Sequence, residues 1–323
     1  KQMKKVIWLL VVLAVLAGGL FIWHERSGPT PPEKITLINP LGPLVIPVTG
    51  ITGQQVKGEA PINVQFWNDT DEAVSILASN RADFAVLPIT NAANMYAQGI
   101  NISLLGVHEW KVFYLVAAPN TPFEGWKSLA GKNVYTAHGR GQTVDVLMRA
   151  ALSKEGIDPD QDVKIAYAPP QEIVALFKSG KADFAALPEP FVTLAMAGGK
   201  GKIVVDFQKY WGESTGKPER LPIAGLFVTK EFAAKYPEQT KEVTKALANS
   251  IEWSNQHVDQ AIDLAGKTLP LPKPVLKASM SRVDFHYLAA KDSKAEVEYF
   301  LQKMNELYPQ GTPKLPDQGF YTE

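Results

Sequence analysis

The chain has 323 residues, 46% hydrophobic and 20% charged, a composition that excludes a disordered chain and suggests about two domains. Thirty-three Lys+Arg against 33 Asp+Glu give a formal net charge of zero, which argues against a protein built to coat nucleic acid. There is no cysteine, so disulfides, thiolate nucleophiles, iron–sulfur clusters and lipidation through cysteine are excluded, and the five scattered histidines form no metal-binding H-x-x-x-H or H-E-x-x-H pair.

Lys1, Lys4 and Lys5 precede an uncharged apolar run over residues 6–23, and His24-Glu25-Arg26 and a Pro-rich stretch follow. A cationic front, an apolar run and a Pro-rich exit read as a membrane-targeting segment. Two readings stay open. Val15-Leu16-Ala17 places small residues where a signal peptidase cleaves, after Ala17; alternatively the run is kept as an anchor ending at Trp23. Leu16-Ala17-Gly18 resembles the start of a lipoprotein box, but Gly19 stands where the modified cysteine is required. Either reading puts the rest of the chain outside the cytoplasm, with residues 1–33 as targeting segment and linker.

Strands are predicted over residues 34–39, 62–66, 102–107 and 111–118 from their apolar, partly alternating patterns. A fresh unit follows Pro119-Asn120-Thr121-Pro122: a strand over 133–136, a Gly-rich turn, a helix over about 143–155 and a strand over 163–167. Residues 72–88 align without a gap with residues 172–188, and both carry Ala-Asp-Phe-Ala-x-Leu-Pro. Each copy predicts a short helix, a turn at Asn80 or Gly180, and a buried strand ended by proline. Alternating helices and strands imply α/β architecture with mainly parallel sheets. The repeat implies two similar lobes: residues 34–118 plus 222–323 as the first and 119–221 as the second, with chain crossings near 118–122 and 221–224.

The doubled helix–strand unit, the lead-in Leu129-Ala130-Gly131-Lys132-Asn133-Val134, the stretch Ala186-Leu187-Pro188-Glu189-Pro190-Phe191, and Lys235-Tyr236-Pro237-Glu238 followed by Ile251-Glu252-Trp253 together resemble a known family. Over residues 34–310 the chain is similar to type II periplasmic binding proteins, within the nitrate/sulfonate/taurine and thiamine-pyrimidine (NMT1/THI5-like) group. The resemblance implies a Venus-flytrap receptor of an ABC importer that closes on a small polar or heteroaromatic molecule. It implies delivery to a membrane permease and its ATPase, a monomeric soluble part, no cofactor, no metal and no nucleic acid.

Ligands of open α/β sheets sit beyond the carboxyl ends of the strands, which selects the candidate residues. The loop Gly139-Arg140-Gly141-Gln142-Thr143 follows a strand and opens a helix, so its backbone N–H groups suit an anion. It is not a dinucleotide fingerprint, because Val144 occupies the place of the third glycine. Thr90 and Glu189 follow the two proline-ended repeat strands; Glu189 either accepts hydrogen bonds from a ligand or pairs with a nearby cation. Asn39 and Gly42 lie in the loop after the first strand. Trp67 and Trp110 offer aromatic faces for a flat ligand or serve as packing. Two other readings stay open: an enzyme using Glu189 and His108 as acid and base, and a membrane-anchored ligand sensor.

Overall fold

The structure is a computed structural model that describes residues 30, 32–56, 61–137, 139–199 and 201–322. The expected signal or anchor segment and His138 lie outside the described residues. Among the described residues no helix is long and apolar enough to cross a membrane.

The first unit begins with β1 (Ile35–Pro40), α1 (Thr49–Thr52), β2 (Ile62–Trp67), α2 (Thr70–Ala78), β3 (Phe84–Pro88), α3 (Ile89–Ala97) and β4 (Ile102–Lys111). After β5 (Phe113–Ala117) come β6 (Asn133–Thr136), α4 (Thr143–Lys154), β7 (Lys164–Tyr167), α5 (Pro170–Lys178), β8 (Phe184–Pro188), α6 (Phe191–Met196), β9 (Lys202–Asp206) and α7 (Phe207–Thr215). The chain ends with β10 (Ala224–Thr229), α8 (Lys230–Lys235), α9 (Pro237–Gln256), α10 (Val258–Ala265), α11 (Lys273–Ser279), β11 (Asp284–Ala289) and α12 (Ala290–Leu307). Two sheets result, a six-stranded one in the order β11-β4-β10-β3-β1-β2 and a five-stranded one in the order β7-β6-β8-β5-β9.

The repeat survives in three dimensions. α2 and α5 each span nine residues, and β3 and β8 each span five. Asn80 and Gly180 both turn the chain with positive φ, 51° and 75°, which side chains other than glycine and asparagine seldom adopt. The shared aspartate has the same task in both copies. Asp83 accepts the Thr36 N–H at 2.8 Å and Asp183 accepts the Asn133 N–H at 2.8 Å, so each fastens the strand that opens the parallel set of its own sheet.

Strand direction follows from how the chain enters each sheet. β1, β2 and β3 are mutually parallel, as are β6, β7 and β8, and their carboxyl ends meet at the space between the sheets. β5 and β10 each enter a sheet from the opposite one and run away from that space, so they pair antiparallel with β8 and β3. The switch after β4 falls at Val112, so β5, predicted as part of the first lobe ending at residue 118, belongs to the second sheet. Two backbone amides explain the early break. Val112 and Phe113 both donate to the buried Oε1 of Gln208, at 3.2 and 3.0 Å, and Gln208 Nε2 returns a bond to the Phe113 carbonyl.

The C-terminal third is likewise not confined to the first unit. Ile262, Leu269 and Leu276 pack into the core of the second sheet with Val116, Phe177 and Leu187. Val297, Phe300 and Met304 of α12 join a core shared by β4 and α4. A third connection, through α11 and into β11, therefore links the two units, and nothing in the repeat pattern announced it.

Removing the shared carboxylate strands a strand-initiating N–H without its acceptor. Asp83→Ala and Asp183→Ala should each cost about 1–3 kcal/mol in urea unfolding, with smaller losses for the Asn variants, which keep an acceptor oxygen. Equal losses for Ala and Asn would show that the N–H contacts are not the cause.

Candidate ligand-binding site

A cavity of about 330 Å³ lies where the carboxyl ends of the two parallel strand sets face each other. One side is built from the β1 loop (Pro40 to Leu44), the β2–α2 junction (Trp67 to Thr70), Thr90 and Asn91 at the start of α3, and Glu109 near the end of β4. The opposite side comes from Phe113, the loop into α4, Pro170, Pro188 and Phe191.

Local chemistry fixes these loops. Gly42 has φ 131°, a conformation open to glycine, and starts a short 3-10 turn over Pro43–Val45. Buried Asn39 holds that loop from beneath, its amide donating to the Pro40 and Leu44 carbonyls at 2.9 and 3.1 Å. Asp69 caps α2 by accepting the Glu72 N–H at 2.9 Å, and Glu72 in turn accepts the Asn68 N–H at 2.9 Å. Asn91 donates to Thr70 Oγ1 at 2.8 Å, tying the starts of α2 and α3 into one wall.

Of the predicted residues, Gly42, Trp67, Thr90, Gly139, Gln142 and Thr143 line the cavity. The other five have different employment. Asn39 supports the β1 loop, as above. Trp110 is fully buried, donates its indole N–H to the His286 carbonyl at 2.9 Å, stacks with the His286 ring and has the Arg220 guanidinium over its own ring. Strand alternation explains this, since Glu109 turns to the cavity and its neighbour Trp110 turns away. Arg140 is exposed and bonds Asp160 at 2.8 Å and Tyr308 at 2.9 Å. Gly141, with φ 82°, allows close approach of the C-terminal turn: a Cβ there would sit 2.9 Å from Gly311 Cα and 3.0 Å from the Tyr308 ring. Glu189 is buried against Arg282 and also accepts the Thr193 N–H at 3.0 Å, so the ion-pair alternative describes it.

The anion cradle expected at the start of α4 is also changed. The Gly141 N–H points at Asp145 Oδ2, 2.8 Å away, and Asp145 is itself buried against Arg149 at 2.9 Å. The helix start thus carries a carboxylate of its own. The acid–base pair considered for an enzyme is not joined: Glu189 is committed to Arg282 and Thr193, while both His108 ring nitrogens are buried with no partner among the described residues.

Glu109 was not among the predicted site residues, although an acid inside the apolar run of β4 is the pattern that marks it. Among the described residues its buried Oε1 has no partner, nor has the buried indole Nε1 of Trp67, and both residues line the cavity. Burial without a counter-charge pushes the Glu109 carboxyl up to about 8 and the His108 imidazole down to about 3.

These two groups give opposite pH dependences. For Glu109 the folded protein holds its proton above the ordinary value of 4.5, so its stability contribution is full below pH 4.5 and is lost as pH rises to about 8. For His108 the contribution is full above pH 6.5 and is lost as pH falls toward 3. Glu109→Gln should therefore flatten the decline of the melting temperature between pH 4.5 and 8 and leave the acid limb of His108 in place. An unchanged slope in that window would show that Glu109 is ionised in the folded protein.

Comparison with known proteins places this architecture. The chain is similar to a structure described as an ABC transporter from Parabacteroides distasonis, with TM-score 0.75, 26% identity and coverage of 90% of this chain and 99% of that one. It shares its fold with the periplasmic aliphatic sulphonate binding protein SsuA from Escherichia coli, with TM-score 0.72, 20% identity and coverage of 89% and 91%. In sequence it is 26% identical over 203 residues, 62% of this chain and 58% of the relative, to a Bacillus subtilis (strain 168) protein provisionally named as aliphatic sulfonates-binding. The chain thus spans a little over half the length of that relative. The NMT1-like family pattern matches residues 70–266, which is more than half of the sequence. With this match and two α/β sheets facing one cavity, the chain belongs to the NMT1-like family and has the two-lobed fold of periplasmic binding proteins.

Proposed function

We propose that this protein is the extracytoplasmic solute receptor of an ABC importer, which holds a small polar or heteroaromatic molecule between its two lobes and presents it to a membrane permease and its ATPase. The observation that carries the reading is the cavity of about 330 Å³, whose walls come from both sheets. A ligand seated there touches Thr90 and Trp67 from one side and Gln142 and Thr143 from the other, so binding favours the arrangement in which both sides are in reach. That arrangement is what a permease would recognise. The names of the Bacillus and Escherichia proteins favour a receptor role, and the N-terminal apolar segment supplies the route out of the cytoplasm, cleaved or kept as an anchor. The sensor alternative gains no specific support. The enzyme alternative loses its named pair, because Glu189 is held by Arg282.

Differential scanning fluorimetry across oxyanions, alkylsulfonates, pyrimidines and flavins tests the proposal. A ligand present at about 100 times its Kd stabilises the native state by about 2.7 kcal/mol, a shift of several degrees in melting temperature. Thr90→Val and Thr143→Val should weaken that ligand by about tenfold while leaving the unliganded melting temperature within a degree or so. If none of these compounds raised the melting temperature and one of them were turned over, the enzyme reading would replace this one.

A further inference from the structure

The cavity has a one-sided charge pattern. Among its described lining residues the charged ones are Asp69 and Glu109, both acidic, and there is no lysine or arginine. Cations in the surrounding structure are engaged elsewhere. Lys111 pairs with Asp206 at 2.7 Å, Arg140 with Asp160 at 2.8 Å, Arg220 with Glu296 and Arg282 with Glu189. Two residues of the cavity wall each carry a buried polar atom with no partner among the described residues: Glu109 Oε1, and Trp67 Nε1, which can only donate. Leaving such groups dry and unpaired is costly, so the ligand that fits is the one that pairs both. The remaining walls, among them Pro43, Pro88, Phe113, Phe191 and Ile223, offer apolar contact to the body of that ligand.

We infer that the cavity takes a small organic amine or amidine, which presents an N–H donor to Glu109 and a hydrogen-bond acceptor to Trp67, in preference to a bare oxyanion. The inference rests on the receptor reading above and names its ligand class. A ligand ammonium supplies the counter-charge that Glu109 lacks and forms a charge-assisted hydrogen bond with it. An oxyanion without an amine would meet the Asp69 carboxylate and find the indole N–H and the protonated Glu109 as its donors, with no cation to offset its charge among the described lining residues.

The elements packed against Glu109 leave its charge unbalanced. Its register partners are Ala224 on β10 and Phe285 on β11, neither titratable. Beside Phe285, Asp284 and His286 pair with each other at 2.7 Å. On the same side of the cavity Asp69 caps α2, and on β4 itself His108 is buried and Lys111 is paired with Asp206. Because burial holds the carboxyl near 8, an arriving cation ionises Glu109 and releases a proton at neutral pH.

Matched pairs that differ by one amine test this: taurine against ethanesulfonate, and benzylamine against benzyl alcohol, titrated calorimetrically in buffers of different ionisation enthalpy. At least one amine should bind about tenfold or more tightly than its partner, with proton release. Glu109→Gln should narrow that gap to within about twofold, and Trp67→Phe should weaken whatever binds while keeping the aromatic ring. Tighter or equal binding by the amine-free member, or proton uptake, overturns the ligand class yet leaves the receptor standing. Failure of both amines to bind up to about 10 mM overturns it too, and the receptor reading then rests on the wider fluorimetry panel.

Discussion

The architecture depends on how one buried glutamine satisfies the backbone between β4 and β5. Residues 102–117 are apolar enough to continue as one long strand, and two sheets exist because that run is interrupted at Val112. An interruption inside a core leaves N–H groups without a ladder partner, which a buried chain does not tolerate. Gln208 takes both N–H groups on one carbonyl oxygen and returns its amide to Phe113, with Asp206 holding the amide at 2.8 Å. The strand is thereby redirected into a second sheet, and the cavity forms at the gap.

Once the chain has switched sheets, the geometry of the site follows from strand direction. Parallel sets deliver their loops to the same gap, while β5 and β10, arriving from across it, must run away. Contacts at the rim are made by the C-terminal segment. Asn94 of α3 donates to the Gly311 carbonyl at 2.8 Å, and the same turn rests against Gly141 on the second side. Together with α11 and α12, this turn ties the two units at points other than the crossings at Val112 and Leu221. The turn at Gly311 therefore touches both units beside the loop into α4.

The polar groups of the molecule divide by whether the protein itself satisfies them. Asp145, Arg149, Glu189 and Arg282 form closed pairs, and Asp83 and Asp183 close strand starts. Glu109 and Trp67 do not close among the described residues, and both lie on the cavity wall. Asn39 Oδ1, Asn94 Oδ1, Thr312 Oγ1 and both ring nitrogens of His108 are also buried without a partner among the described residues, so what sets Glu109 and Trp67 apart is their place on the cavity wall.

Much was legible in the sequence because it depends on local order. The doubled Ala-Asp-Phe-Ala-x-Leu-Pro unit, its proline stop and its positive-φ turn residues are written contiguously, so the repeated α2–β3 and α5–β8 pieces and the two-unit architecture could be read directly. So could Thr90, Trp67 and the loop into α4, since they follow strand ends. Tertiary structure alone decided which neighbours a side chain meets. Glu189 and Glu109 are both acids near strand ends, but only one has an arginine, Arg282, brought to it from 93 residues away. Trp110 and Glu109 differ by one position, and the pleat sends one into the core and the other to the cavity. Periodicity and spacing encode the path of a chain, whereas satisfaction of a buried charge depends on groups distant in sequence, and that is settled only when the chain has packed.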